Sequence, residues 1–143
     1  MSPTHVHVGC AACGATNRVP AARLAQDPTC GRCGAPLLSG EPVELTDANF
    51  DAVASRTELP IVVDFWAAWC GPCRAMAPQF EHAARTLKGR ALLAKVDSDA
   101  HPRLAARFGI RSIPTLVKLQ RGAEAGRLSG ARPAGDIVRF AGG

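Results

Sequence analysis

The apolar residues of this chain come in short runs whose spacing changes from one stretch to the next. Ile61-Val62-Val63-Asp64-Phe65 is β-branched, nearly unbroken and bounded by Pro60, the pattern of a strand buried on both faces. After it, apolar side chains fall at Met76, Phe80, Ala83, Ala84 and Leu87, which is one face of a helix. That helix is expected to reach Lys88, where Gly89 closes it, and to be kinked by Pro78. Before the strand, Val43-Glu44-Leu45 reads as a short strand. Thr46-Asp47 then offers a helix start, with Phe50, Val53 and Ala54 as the buried face. Beyond it, Ala91–Val96 predicts a second apolar strand and Pro102–Phe108 a short helix ending at Gly109. Thr115–Gln120 and Ala125–Ser129 flank Arg121-Gly122, a hairpin signal, and Pro133–Ala141 predicts a last short helix. Strands alternating with helices and closing in a hairpin predict an α/β domain with a mixed sheet.

Composition narrows the classes. A length of 143 residues suits one ordinary domain, or a small domain with an appendage. The net charge of +5 is scattered, there is no Tyr, and aromatic and basic residues do not interleave as single-stranded nucleic acid requires. No nucleic-acid partner is therefore expected. No apolar run approaches the ~18 residues of a membrane span, so no membrane partner is expected either. Met1-Ser2-Pro3-Thr4-His5 lacks the basic start and apolar core of a signal peptide. A cytoplasmic location, where thiols stay reduced, is the expectation.

The first 38 residues have their own logic. Cys10-Ala11-Ala12-Cys13 and Cys30-Gly31-Arg32-Cys33 give the C-x2-C, gap, C-x2-C spacing of a four-thiolate zinc site. Gly14 and Gly34 follow the two pairs, and Gly permits the positive φ that a knuckle turning around a metal often uses. The stretch is too poor in large apolar residues to hold a core unaided, and one structural zinc would supply the folding energy. Two disulfides or a second redox pair are the rivals, disfavoured without a secretion signal. His5 and His7 precede the first pair and are read as solvated rather than as ligands. The expected organisation is a zinc-ribbon-like module over 1–38, a Gly- and Pro-containing linker over 39–42, and the α/β domain over 43–143. The two parts are expected to act independently.

The remaining chemistry lies at the junction of the central strand and the long helix, Trp66-Ala67-Ala68-Trp69-Cys70-Gly71-Pro72-Cys73. Two cysteines at a helix N-terminus are biased towards thiolate, the form that attacks disulfides. Cys70, nearest the helix start and expected on the exposed side after Trp69, is the candidate attacking thiol, and Cys73 the resolving one. Asp64 is a carboxylate in an apolar strand, so burial should raise its pKa towards neutrality and let it take the proton of Cys73. His82 and His101 read as ordinary surface residues.

Val63–Ala67 followed by Trp69–Cys73, with Arg74, Pro78 and Gly109-Ile110-Arg111-Ser112-Ile113-Pro114-Thr115, resembles the active-site signature of the thioredoxin family from about Glu41 onward. The added four-cysteine stretch is similar to the zinc-containing bacterial branch often called thioredoxin 2. The resemblance implies the thioredoxin fold and a protein-disulfide reductase acting through a mixed disulfide. It implies disulfide-containing protein substrates, an NADPH-dependent thioredoxin reductase as electron donor and no bound organic cofactor. It places Lys95 beside Asp64, where its charge opposes the rise in pKa, and makes Ile113-Pro114 cis, with the Ile113 backbone open to a substrate strand. Gly71 and Pro72 hold the dithiol stiffly, as in the reducing members. Trp69, Ile113, Pro114, Gly130 and Ala131 surround Cys70, and Trp66 packs beneath. An oxidase or isomerase is disfavoured by Gly71-Pro72. A zinc-ribbon adaptor using the fold as a scaffold is the alternative, disfavoured because it would need none of Cys70, Cys73, Asp64 and Pro114. Two positions depart from the pattern: Lys118 stands in a strand where an apolar residue is usual, and the last helix ends early, at Ala141-Gly142-Gly143.

Overall fold

A computed structural model describes residues 4–142. Met1–Pro3 and Gly143, which the sequence reading assigned to the module and to the final domain, lie outside the described residues. The elements in order are β1 (His5–Gly9), β2 (Thr16–Pro20), a 3-10 turn (Ala21–Arg23), β3 (Val43–Glu44), α1 (Phe50–Arg56), β4 (Ile61–Trp66) and α2 (Gly71–Thr86). They continue with β5 (Leu92–Asp97), α3 (Pro102–Arg107), β6 (Thr115–Gln120), β7 (Ala123–Ser129) and α4 (Ala134–Phe140). The main sheet has the order β3-β5-β4-β6-β7, parallel from β3 to β4 and antiparallel from β4 to β7. This is the mixed sheet that the alternation of elements predicts.

Side chains of a strand alternate between faces, and that alternation sorts the core. Ile61, Val63 and Phe65 of β4, with Leu92, Ala94 and Val96 of β5 and Val117 and Leu119 of β6, pack towards α1 and α3. Val62, Leu93 and Leu116 point the other way, onto Met76, Phe80, Ala83, Ala84 and Leu87 and onto Ile137 of α4. Asp64 stands two residues from Val62 and Lys95 two from Leu93, so both share the face that α2 covers. Lys118 is half-buried on that face at its α4 end, where its Nζ lies 3.2 Å from the point a Cβ on Gly142 would occupy.

The N-terminal stretch holds two strands that its spacing rules did not reveal. β1 and β2 pair antiparallel, from His5 with Pro20 to Gly9 with Thr16. Val6, Val8, Val19, Leu37 and Leu38 are buried, and they join the cluster formed by Phe50, Val53 and Ala54 of α1, with Leu24 half-buried against it. A segment without a core of its own therefore shares one with the sheet domain. The approach is close. A Cβ on Gly9 would stand 2.8 Å from the Ala52 carbonyl oxygen and 3.0 Å from the Val53 Cα, so only glycine fits. Gly9 N–H donates to the buried Thr57 hydroxyl (3.0 Å), the Asn49 amide donates to the carbonyls of Ala11 and Glu44 (3.0 and 3.1 Å), and Arg56 donates to the Gly14 carbonyl. His7 is not merely solvated: its backbone N–H and Nδ1 lie 2.6 and 2.8 Å from Glu58 Oε1. That contact, backbone N–H first, holds the Glu58 carboxyl below its ordinary pKa. His101 also has a partner, with Nδ1 3.2 Å from Asp47 Oδ2.

Candidate active site and metal centre

β4 delivers the chain to the site and α2 carries it away. The loop after Trp66 turns so that Cys70 caps α2: its Sγ accepts the Cys73 N–H at 3.2 Å, with Pro72 in the first turn. Cys70 and Cys73 are joined by a disulfide with Cα atoms 5.3 Å apart. The expected exposure of Cys70 is not found. It is 4 % exposed and Cys73 3 %, while Trp69 beside them is 69 % exposed. Gly71 and Pro72 are exposed.

Two further loops meet this one. Ile113-Pro114 is cis, and the Ile113 carbonyl oxygen lies 3.7 Å from Cys70 Sγ. Gly130 N–H donates to the Pro114 carbonyl at 2.9 Å, which brings the loop after β7 alongside. Trp69 Nε1 donates to Asp99 Oδ2 at 2.8 Å, and Asp97 Oδ1 accepts the backbone N–H groups of Asp99 and Ala100. Neither aspartate was legible in the sequence, because the bond joins positions thirty residues apart with no local pattern.

Asp64 is 1 % exposed and in register with Lys95 on β5. Burial raises its pKa to about 7, and the Lys95 charge opposes that rise. Lys95 Nζ stands over the Trp66 ring, 4.6 Å from its centroid, and Trp66 is half-buried. Asp64, Lys95 and Trp66 thus lie together on β4 and β5, on the strand side of the disulfide loop.

At the other end of the chain, the sulfurs of Cys10, Cys13, Cys30 and Cys33 all lie within 4.8 Å of one another. Gly14 and Gly34 turn the two knuckles at φ of 78° and 77°. Cys10 and Cys33 are 3.6 Å apart at sulfur, as are Cys13 and Cys30. A tetrahedral ion with metal–sulfur bonds of about 2.3 Å needs sulfur–sulfur edges of about 3.8 Å. A disulfide needs ~2 Å. The donor set fits a four-thiolate metal site. Asn17, which sequence spacing could not single out, supports it: its amide nitrogen is 3.5 Å from Cys30 Sγ and its oxygen accepts the Gly31 N–H at 2.9 Å. Without a metal, the Cys30 thiol is drawn down to about 6 by the Cys33 backbone N–H, then by Asn17 and the Arg32 N–H.

The Thioredoxin family model matches residues 41–142. The chain belongs to the thioredoxin family. A second model, the zinc-ribbon family described as "Thioredoxin 2, N-terminal", matches residues 9–35. Thioredoxin C-3 of Corynebacterium nephridii is 49% identical over 122 residues, 85% of this chain and 83% of that protein. The bifunctional thioredoxin reductase/thioredoxin of Mycobacterium leprae is 39% identical over 101 residues, 71% of this chain and 22% of that protein. A mutant thioredoxin from Halobacterium salinarum NRC-1 superposes with a TM-score of 0.65 at 30% identity, covering 71% of this chain and 88% of that one. As a thioredoxin, the chain is a protein-disulfide oxidoreductase, and its substrates are protein disulfides. Among the described residues, no helix is long and apolar enough to cross a membrane.

Proposed function

We propose that Cys70 is the attacking thiol of this disulfide reductase, that Cys73 resolves the mixed disulfide, and that Asp64 takes the Cys73 proton. The observation that carries the reading is the cap of α2: Cys70 Sγ accepts the Cys73 N–H at 3.2 Å, so a thiolate there is stabilised by a backbone donor and the helix dipole. The Cys70 thiolate attacks one sulfur of a substrate disulfide and the other substrate sulfur leaves as a thiolate. Cys73, deprotonated, then attacks Cys70 Sγ, forming the Cys70–Cys73 disulfide and releasing the second substrate thiol. Proximity makes this second step unimolecular. Asp64, with a pKa of about 7, is matched to accepting a proton near neutral pH. Lys95 tunes that carboxylate. Trp69, Gly71, Pro72, Ile113, Pro114 and Gly130 form the surface that meets the substrate, and Trp66 supports the loop from below.

Two electrons must return to the pair after each turnover. The donor we propose is an NADPH-dependent thioredoxin reductase, a reading supported by the relative in which both activities share one chain. The metal is proposed to be zinc, one per chain and structural, because all four donors are thiolates at tetrahedral spacing. A reducing, cytoplasmic location keeps such thiolates intact. Incubating Cys73→Ser protein with oxidised protein substrates should accumulate mixed disulfides through Cys70, whereas Cys70→Ser should accumulate none. Equal trapping by both variants would show that the roles of attacker and resolver are wrong.

A further inference from the structure

Three of the segments around Cys70 carry one arginine each and no carboxylate. Residues 67–75 contribute Arg74, residues 109–115 contribute Arg111, and residues 129–135 contribute Arg132; none of the three segments contains Asp or Glu. One of these segments contacts the sulfur, and the other two are joined to it or to Cys70 by backbone bonds. Arg74 N–H donates to the Cys70 carbonyl at 3.2 Å, in the first turn of α2. Arg111 is two residues from Ile113, whose carbonyl oxygen is 3.7 Å from Cys70 Sγ, and two residues of chain span at most ~7 Å. Arg132 folds back over its loop, with Nη2 donating to the Ser129 carbonyl at 3.0 Å beside Gly130. Arg74 and Arg111 are exposed and Arg132 half-exposed, and among the described residues none of them makes an ion pair. Arg107, Arg127 and Arg139, farther along the fold, each hold a carboxylate. Asp99, bonded to the Trp69 indole, is an exposed carboxylate on this face that the three guanidinium groups outnumber, and Asp64 is buried behind the strand.

We propose that this face selects disulfides flanked by acidic residues, with Arg74, Arg111 and Arg132 as the groups that determine the preference. It rests on the disulfide-reductase reading above and names the substrate class. An extended segment whose sulfur reaches Cys70 must lie across at least two of the three loops, so carboxylates on either side of its cystine meet guanidinium groups. The planar guanidinium, with five N–H donors, pairs with a carboxylate in two-pronged fashion. One-signed charge on a surface acts chiefly on the rate of encounter and on rejection of wrongly charged partners. A lysine-flanked cystine is therefore repelled before its sulfur arrives.

The test uses three peptides that share one disulfide-closed ring and differ only in their flanks, which are Glu, Ser or Lys. Their kcat/KM values are measured with the reduced full-length protein at about 0.01 M and about 1 M salt, where charges are screened beyond ~30 and ~3 Å. At low salt the order Glu, Ser, Lys is expected, with a Glu-to-Lys ratio of about 10 or more. At high salt the ratio should fall towards one. The triple variant R74Q/R111Q/R132Q should bring the low-salt ratio to near one. Equal rates in the unaltered protein at low salt, or a ratio that survives high salt, would overturn the proposal even if the variant failed to fold. A ratio that survives the triple substitution in folded protein would overturn it too. Reduction of none of the peptides would instead overturn the reductase reading, and the charge preference with it.

Discussion

Asp64 and Lys95 are register partners on adjacent parallel strands, yet Asp64 Oδ1 has no hydrogen-bond partner among the described residues and the Lys95 ammonium sits over Trp66 instead. The carboxylate is buried without being neutralised, which is why its pKa is raised to about 7 rather than lowered as in an ion pair.

This has a consequence for stability whose sign is fixed. The ordinary value of 3.8 applies in the unfolded chain, so between about pH 4 and pH 7 the folded state holds a proton that the unfolded state has lost. Stability contributed by Asp64 is greatest below that window, falls through it by roughly 1.4 kcal/mol per pH unit, and is level above it. Asp64→Asn should therefore be more stable than the parent at pH 8 and should lose the advantage towards pH 4. Urea unfolding at both pH values measures the difference, and an advantage that does not change with pH would refute the titration.

The same group should appear in the kinetics. Asp64→Asn should slow turnover near pH 6, and the deficit should shrink as pH rises and Cys73 ionises unaided. Lys95→Met, which removes the charge that opposes the shift, should move the pH–rate profile to higher pH while leaving Cys73→Ser trapping intact. Profiles that coincide with the parent's would leave both residues without a part in proton transfer.

Metal binding gives a separate prediction. Protein purified under reducing conditions should carry one zinc, and Cys33→Ser should lose tight binding. The sequence alone suggested two independent halves. Because Val6, Val8 and Leu37 share a core with Phe50 and Val53, the unfolding temperature of the whole chain should drop as well. Disulfide reduction at room temperature should persist, since α2 and Asp64 lie on the opposite face of the sheet. Strong oxidants should expel the metal, as thiolates converted to disulfides no longer ligate it. An unchanged melting curve in Cys33→Ser would show that the shared core contributes little.

Gly9→Val tests that seam without touching a thiol. Its side chain would meet the Ala52 carbonyl and the Val53 Cα, at 2.8 and 3.0 Å for Cβ alone, and neither is a flexible tip. Overpacking of this kind costs about 1–3 kcal/mol. Melting temperature and zinc retention, measured together, should both fall.

What could be read from the sequence was what local spacing encodes. The run Ile61–Phe65 became β4, and the helical spacing from Met76 to Leu87 became the buried face of α2 and its cap. The helix over Phe50–Arg56 starts later than Thr46-Asp47 suggested, because Thr46 Oγ1 accepts the N–H groups of Ala48 and Asn49 in a turn before it. β1 and β2 were missed because a five-residue alternation such as His5–Gly9 is too short to stand out beside a cysteine knuckle. The bonds from Thr57, Asn49 and Asp99 join positions far apart in the chain. No periodicity announces a contact of that kind.

The seam between β1 and α1 also decides what happens when the metal is scarce. If the four thiolates hold a metal in common, its depletion should loosen the module against α1 and expose part of Val53 and Ala54. An apolar stripe of that sort is an adhesive surface. Metal-starved protein should therefore cling to itself, and its loss from solution should steepen with concentration even while its dithiol remains chemically competent.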